Sequence, residues 1–143
     1  MTDGANQLSL FTRRSTLNKI MKLAIIGSRG FNDYDKLERV LTSYFSFIVK
    51  KPPYINFIHK IISGGADGAD KLGAKFANDN GVVLIEFKPD WDKYGKSAGF
   101  IRNKDIIDNC DFVLAFWDGK SKGTAHTLKL AKEQKKSTFI VYF

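Results

Sequence analysis

With 143 residues, 43% of them hydrophobic and 13% aromatic, the chain is long enough for one domain around one core. No window reaches the roughly 18 consecutive apolar residues of a membrane helix, and the single cysteine, Cys110, excludes an intramolecular disulfide and a Cys-rich zinc site while fitting a reducing, cytoplasmic setting. The net charge of +8 attracts nucleic acid and other anions without specificity, but the lysines and arginines are spread along the chain, as on a solvated basic surface.

Residues 1–20 are polar and carry Arg13, Arg14 and Lys19 against one acid, Asp3. They lack the continuous apolar core of a secretory signal, so a flexible N-terminal extension is expected, with the domain over residues 21–143. Met21 stands directly before the first strand, where translation could also begin. Leu23–Ile26 reads as a short buried strand ending at Gly27. From Asp35 to about Lys50, Leu37, Val40, Leu41, Tyr44, Phe45 and Ile48 fall at helical spacing, and Asp35 with Glu38 suggests a capping box. Pro52-Pro53 predicts a turn. A second strand is expected over about Phe57–Ile62.

A second helix is expected from about Asp67 to Asn80, with Ala69, Leu72 and Phe76 on one face and Asn80-Gly81 as its stop. Val82–Phe87 reads as a strand and Lys88–Lys96 as a loop. Ser97 is placed to cap a helix reaching about Cys110. Phe112–Phe116 is the fourth strand, Gly123–Lys135 the fourth helix and Thr138–Tyr142 the last strand. Five apolar strands separated by helices predict a Rossmann-like, doubly wound parallel sheet in a three-layer α/β/α arrangement, order 3-2-1-4-5. In that order a ligand crevice opens between strands one and four, beyond their carboxyl ends.

Three glycine-containing loops fall on that edge. Gly27-Ser28-Arg29-Gly30 follows strand one. Ser63-Gly64-Gly65-Ala66-Asp67-Gly68-Ala69-Asp70 follows strand two. Asp118-Gly119-Lys120-Ser121-Lys122-Gly123-Thr124 follows strand four. Each precedes a helix N-terminus, where unsatisfied N–H groups and the helix dipole favour phosphate. One such loop is usually only turn chemistry; three on one edge point to a ligand. Neither standard phosphate motif fits: Leu114 stands where a Walker pattern needs glycine, and the first loop lacks GxGxxG. Between Pro89 and Asn103, aromatic, charged and glycine residues mix without core periodicity. Trp91 or Tyr94 stacks on a base, with Trp91 covering the core edge as the alternative, and Arg102, beside Asn103, either forks onto a phosphate or pairs with a surface acid. His126 is an acid–base candidate or a surface and capping residue. Asp70 contacts a ribose hydroxyl or complements the helix dipole. No metal-ligand cluster stands out, and Mg²⁺ would enter only with a polyphosphate.

The segments GSRGF (27–31), SGGADGAD (63–70), DWDKYGKSAGFIRN (90–103) and FWDGKSKGTAHT (116–127) resemble the YspA-related branch of the SLOG superfamily, in order, across about residues 22–143. The superfamily is similar in fold to the cytokinin-activating phosphoribohydrolases and to the DNA-processing protein DprA. The resemblance implies a homo-oligomer, a dimer, that binds a nucleotide-derived ligand as a sensor or sequestering module, with a link to prokaryotic defence or phages. Two alternatives follow: hydrolysis of an N-glycosidic or phosphoester bond, and DprA-like nucleic-acid binding. Ser63, Gly64, Gly65 and Gly68 match the family's glycine loop. Arg102 resembles the hydrolase arginine, and Gly123-Thr124 the Gly-Thr of its PGGxGTxxE motif. Thr127 stands where those enzymes carry their catalytic glutamate, and threonine cannot supply that charge. The expected ligand set is Gly27, Ser28, Arg29, Ser63, Gly64, Gly65, Asp67, Gly68, Asp70, Trp91, Tyr94, Arg102, Asn103, Asp118, Lys120, Ser121, Gly123 and Thr124. Arg102 and Asp70 are the catalytic candidates, with Asp67, Asp90, Asp92 and Asp118 as further acids.

Overall fold

The computed structural model describes residues 21–49 and 58–143, with the side chains of 44–49 excepted. Residues 1–20 and the Pro52-Pro53 turn lie outside the described residues. The described chain runs β1 (Met21–Gly27), α1 (Tyr34–Val49), β2 (Ile58–Ser63), α2 (Ala69–Asp79) and β3 (Val83–Glu86). It continues with a short α3 (Trp91–Tyr94), a 3-10 turn (Gly95–Ser97), α4 (Ala98–Asp108), β4 (Phe112–Trp117), α5 (Lys122–Glu133) and β5 (Ser137–Tyr142). The sheet is five-stranded and all parallel, in the order β3-β2-β1-β4-β5. This is the predicted Rossmann-like fold.

The apolar runs form central strands because both faces of the sheet are covered. Successive side chains of a strand point to opposite faces. Leu23 and Ile25 join Leu37 and Leu41 of α1 and Phe76 and Ala77 of α2 in one buried cluster. Ala24 and Ile26 join Ile106 and Ile107 of α4 and Ala131 of α5 in the other. Each fully buried Ile, Leu or Phe contributes about 1.5–3 kcal/mol. Cys110 belongs to the second cluster. Its thiol donates to the Ile107 carbonyl, and burial pushes its pKa up to about 11.

Local chemistry corrects three expectations. Asp33, not Asp35, caps α1: its Oδ1 accepts from the Lys36 N–H at 2.9 Å, and the helix starts at Tyr34, so Asp35 already lies in its first turn. The expected loop 88–96 contains α3, because Asp90 Oδ1 accepts from the Lys93 N–H at 3.1 Å and nucleates one turn. Four residues are too few to show a helical period. Ser97 makes no side-chain cap bond, because the 3-10 turn already has helical dihedrals and runs straight into α4. The stop of α2 is as expected: Asn80 donates through its N–H and its side-chain amide to the Phe76 carbonyl, and Gly81 turns at φ 66°.

Candidate functional site

Where the strand order reverses between β1 and β4, the carboxyl ends of these strands open into a cleft of about 430 Å³. Of the expected ligand residues, Gly27, Ser28, Arg29, Asp70, Arg102, Asn103, Asp118, Ser121, Gly123 and Thr124 line it. Ile26, Gly30, Ala66, Ile106 and Thr127 line it too. Ile26 and Ile106 carry no chemical signal in sequence and look like ordinary core residues.

The loop after β2 forms one wall. Asp70, in the first turn of α2, is 6% exposed, and its Oδ2 accepts from the N–H groups of Gly64 at 3.1 Å and Ala66 at 3.3 Å. Burial raises its pKa to about 6, against the opposing pull of the Ala66 N–H, the Arg102 charge and the Gly64 N–H. Asp70 therefore shapes the loop in front of its own helix, a third role beside the two weighed from sequence. The Ser63 hydroxyl is buried and donates to the Asp70 carbonyl. Arg102 Nη1 donates to the Gly64 carbonyl at 2.5 Å, and Nε donates to Asn103 Oδ1 at 3.0 Å. Gly64 lies between these two side chains: a Cβ there would stand 2.8 Å from both Arg102 Nη1 and Asp70 Oδ2. Burial lowers the Arg102 pKa, the Asp70 charge opposes this and Arg29 adds to it. A guanidinium stays charged nonetheless.

Gly68 ties this wall to the loop after β1. It turns at φ 82°, and a Cβ would run into the carbonyl oxygens of Ser28 and Arg29. The Ala69 N–H then donates to the Ser28 carbonyl at 3.3 Å.

The loop after β4 forms the opposite wall. Asp118 Oδ1 accepts from the N–H groups of Lys120 and Ser121, each at 2.8 Å, and these bonds hold its pKa below the usual carboxylate range. Trp117 Nε1 donates to the Ser121 carbonyl at 3.1 Å. The buried Ser28 hydroxyl lies 2.9 Å from Ser121 Oγ and accepts from the Asp118 N–H at 3.1 Å. Ser121 Oγ donates to Thr124 Oγ1 at 3.1 Å. Ser121 is the N-cap of α5, yet its side chain makes no cap bond, being committed to Ser28 and Thr124. The first turn of α5, whose Gly123 and Thr124 line the cleft, thus has no side-chain cap bond. Thr127 is buried on the same helix and its hydroxyl donates back to the Gly123 carbonyl at 3.0 Å.

The other expected residues lie outside the cleft lining. Asp67 pairs with Lys71 at 2.7 Å on the surface, which lowers its pKa. Gly65, Gly68, Ser63 and Gly64 form the frame behind the lining. Lys120 is exposed. Trp91 and Tyr94 are 57% and 41% exposed, so Trp91 does not cover the core edge. Asp90 caps α3, and Asp92 is exposed in it. His126 is half-buried, its ring centroid 4.3 Å from that of Phe100 with the two planes tilted by 37°. Among the described residues no three His, Cys, Asp or Glu side chains gather as a metal-ligand set, and no helix is long and apolar enough to cross a membrane.

A sequence model of the family YspA, cpYpsA-related SLOG matches residues 21–94. Gene 61 protein of Mycobacterium phage D29 is 34% identical over 79 residues, covering 51% of this chain and 63% of that protein. DNA processing protein A from Helicobacter pylori, known for its binding of single-stranded DNA, has a solved structure that superposes with a TM-score of 0.61 at 22% identity. That match covers 85% of this chain and 65% of the other, and at such identity it is a likeness of fold. The chain spans less than two thirds of the length of either relative.

Proposed function

The chain belongs to the YspA, cpYpsA-related SLOG family, and from that premise we propose that residues 21–143 form a binding domain for a nucleotide or nucleotide-derived ligand, serving as a sensor or sequestering module. One observation carries the reading. Arg102, held on the Gly64 carbonyl, lines the same cleft as the first turn of α5, whose cap side chain is turned elsewhere. Phosphate would sit between them, taking N–H groups at Gly123 and Thr124 and the charges of Arg102 and Arg29. Two of the five guanidinium donors of Arg102 are spent on Gly64 and Asn103, and three remain for a ligand. Asp70 offers Oδ1 to a sugar hydroxyl while Oδ2 stays with the loop. Lys120 at the rim adds positive charge, and Mg²⁺ would arrive only with a polyphosphate. The reading includes a homodimer in the cytoplasm. Its link to phage biology or prokaryotic defence rests on a phage relative.

Native mass spectrometry of the protein with mononucleotides, NAD, ADP-ribose and cyclic nucleotides tests this. One compound retained intact supports the reading. Release of a base or phosphate moves it to the hydrolase alternative, in which Asp70, with its pKa near 6, is the better-placed proton donor of the two acids lining the cleft, beside Asp118, and Thr127 stands in the glutamate's place. If no compound is retained, the proposal is wrong.

A second reading is binding of single-stranded nucleic acid. The exposed Trp91, Tyr94 and Phe100, the +8 charge and the fold shared with a protein that binds single-stranded DNA favour it. Fluorescence anisotropy with a labelled oligonucleotide would show affinity falling steeply with salt and weakened in Trp91→Ala. Affinity absent at low salt would remove this reading.

A further inference from the structure

His126 lies outside the cleft lining, yet its contacts lead back to Arg102. Arg102 Nε can only donate, so the Asn103 atom 3.0 Å away is its amide oxygen. That orientation leaves the Asn103 amide nitrogen facing His126 Nδ1 at 3.3 Å. An amide nitrogen only donates, so Nδ1 must be the acceptor and the ring proton sits on Nε2. The Phe100 ring packs against the imidazole, with centroids 4.3 Å apart and planes tilted by 37°, and restricts its rotation. A chain of donors and acceptors therefore runs in one sense only, from Arg102 through Asn103 to His126. If Asn103 turned over, it would present an N–H₂ group to a guanidinium N–H, and the pair would repel.

We infer that His126 is a positioning residue: by accepting from Asn103 it sets the amide orientation that holds the Arg102 guanidinium in place for an anion. This rests on the phosphate-binding reading of the same cleft. Asn103 is 7% exposed, so water has little access to take the place of His126 as its acceptor.

The test uses His126→Phe, which keeps a ring against Phe100 but removes the acceptor, and His126→Asn, which restores an oxygen acceptor near the position of Nδ1. Two readouts are compared in the full chain. The first is the ¹⁵N–¹H NMR signal of Arg102 Nε, identified by its loss in Arg102→Lys, and its solvent exchange rate. The second is AMP affinity by calorimetry. In His126→Phe the Nε–H signal exchanges faster and AMP binds about 5-fold more weakly, the size of one net hydrogen bond. His126→Asn returns both towards the parent chain. An Arg102 signal unchanged in His126→Phe, or no recovery in His126→Asn, overturns the inference. If AMP binds none of the proteins, the phosphate-binding reading loses its support from this ligand, while the Arg102 signal still decides the role of His126.

Discussion

The loops after β2 and β4 read alike in sequence: each follows a buried strand, carries two or three glycines and one or two aspartates, and enters a helix. In the fold they are opposites. After β2, Gly64 and Gly68 are sites where a Cβ collides with side chains or carbonyls, and Asp70 is turned inward onto the loop amides. After β4, Gly119 and Gly123 would meet nothing within 4 Å, and Asp118 is exposed while it ties its own turn. Glycine in the first loop makes room for the protein, and in the second it leaves room for something else. One wall is packed at its glycines and the other is open there.

Substitutions that separate frame from contact test this contrast. The largest effect is expected at Gly68→Ala, where positive φ and two carbonyl collisions combine to cost about 3 kcal/mol or more, read by urea unfolding. An intact Cm would show that the first loop is not frame.

Asp70 comes next. Its pKa rises from 3.8 to about 6 on folding, so the folded protein holds its proton more tightly than the unfolded chain. The resulting stability is full below about pH 4 and is lost as pH rises through about 6, by up to about 3 kcal/mol. Asp70→Asn should remove this contribution, so the difference between variant and parent stability should grow between pH 4 and 7. A pH-independent difference would mean that Asp70 titrates as in the unfolded chain.

On the contact wall, Gly123→Val should leave unfolding within about 0.5 kcal/mol of the parent while weakening a retained nucleotide about 10-fold, or about 1.4 kcal/mol. Equal losses of stability and binding would place Gly123 in the frame. The smallest effect is expected at Gly119→Ala. Its φ of 79° matches that of Gly68 but its surroundings are empty, so only the backbone cost of about 1 kcal/mol remains. The gap between the two alanine variants then shows how much more the crowded turn costs than the open one.

The strand order and the shared edge of the three loops were legible because buried parallel strands print themselves as apolar runs and the connections leave few topologies. The division of labour between loops was not. Whether a glycine faces a carbonyl or open space depends on a partner loop some forty or more residues away, as Gly68 against Ser28 shows. Asp70 was expected to face a ribose hydroxyl or the helix dipole, and its bonds to Gly64 and Ala66 depend on a loop path that spacing does not encode. Asp33 and Asp35 flank the same helix start, and only the bond to Lys36 shows which of them is the cap. His126 reads in sequence as a titratable group, but its contact with Asn103 joins two helices and has no signature in either.

Cys110 carries a practical consequence. It is the chain's one thiol, it is 1% exposed and its pKa lies near 11, so maleimides and methanethiosulfonates would leave it untouched in the folded protein. A cysteine introduced at Lys120 or Tyr94 would then be the sole labelling handle without a cysteine-free background having to be built. A fluorophore or spin label at Lys120, on the wall after β4, would report in real time how that loop responds when an anion arrives.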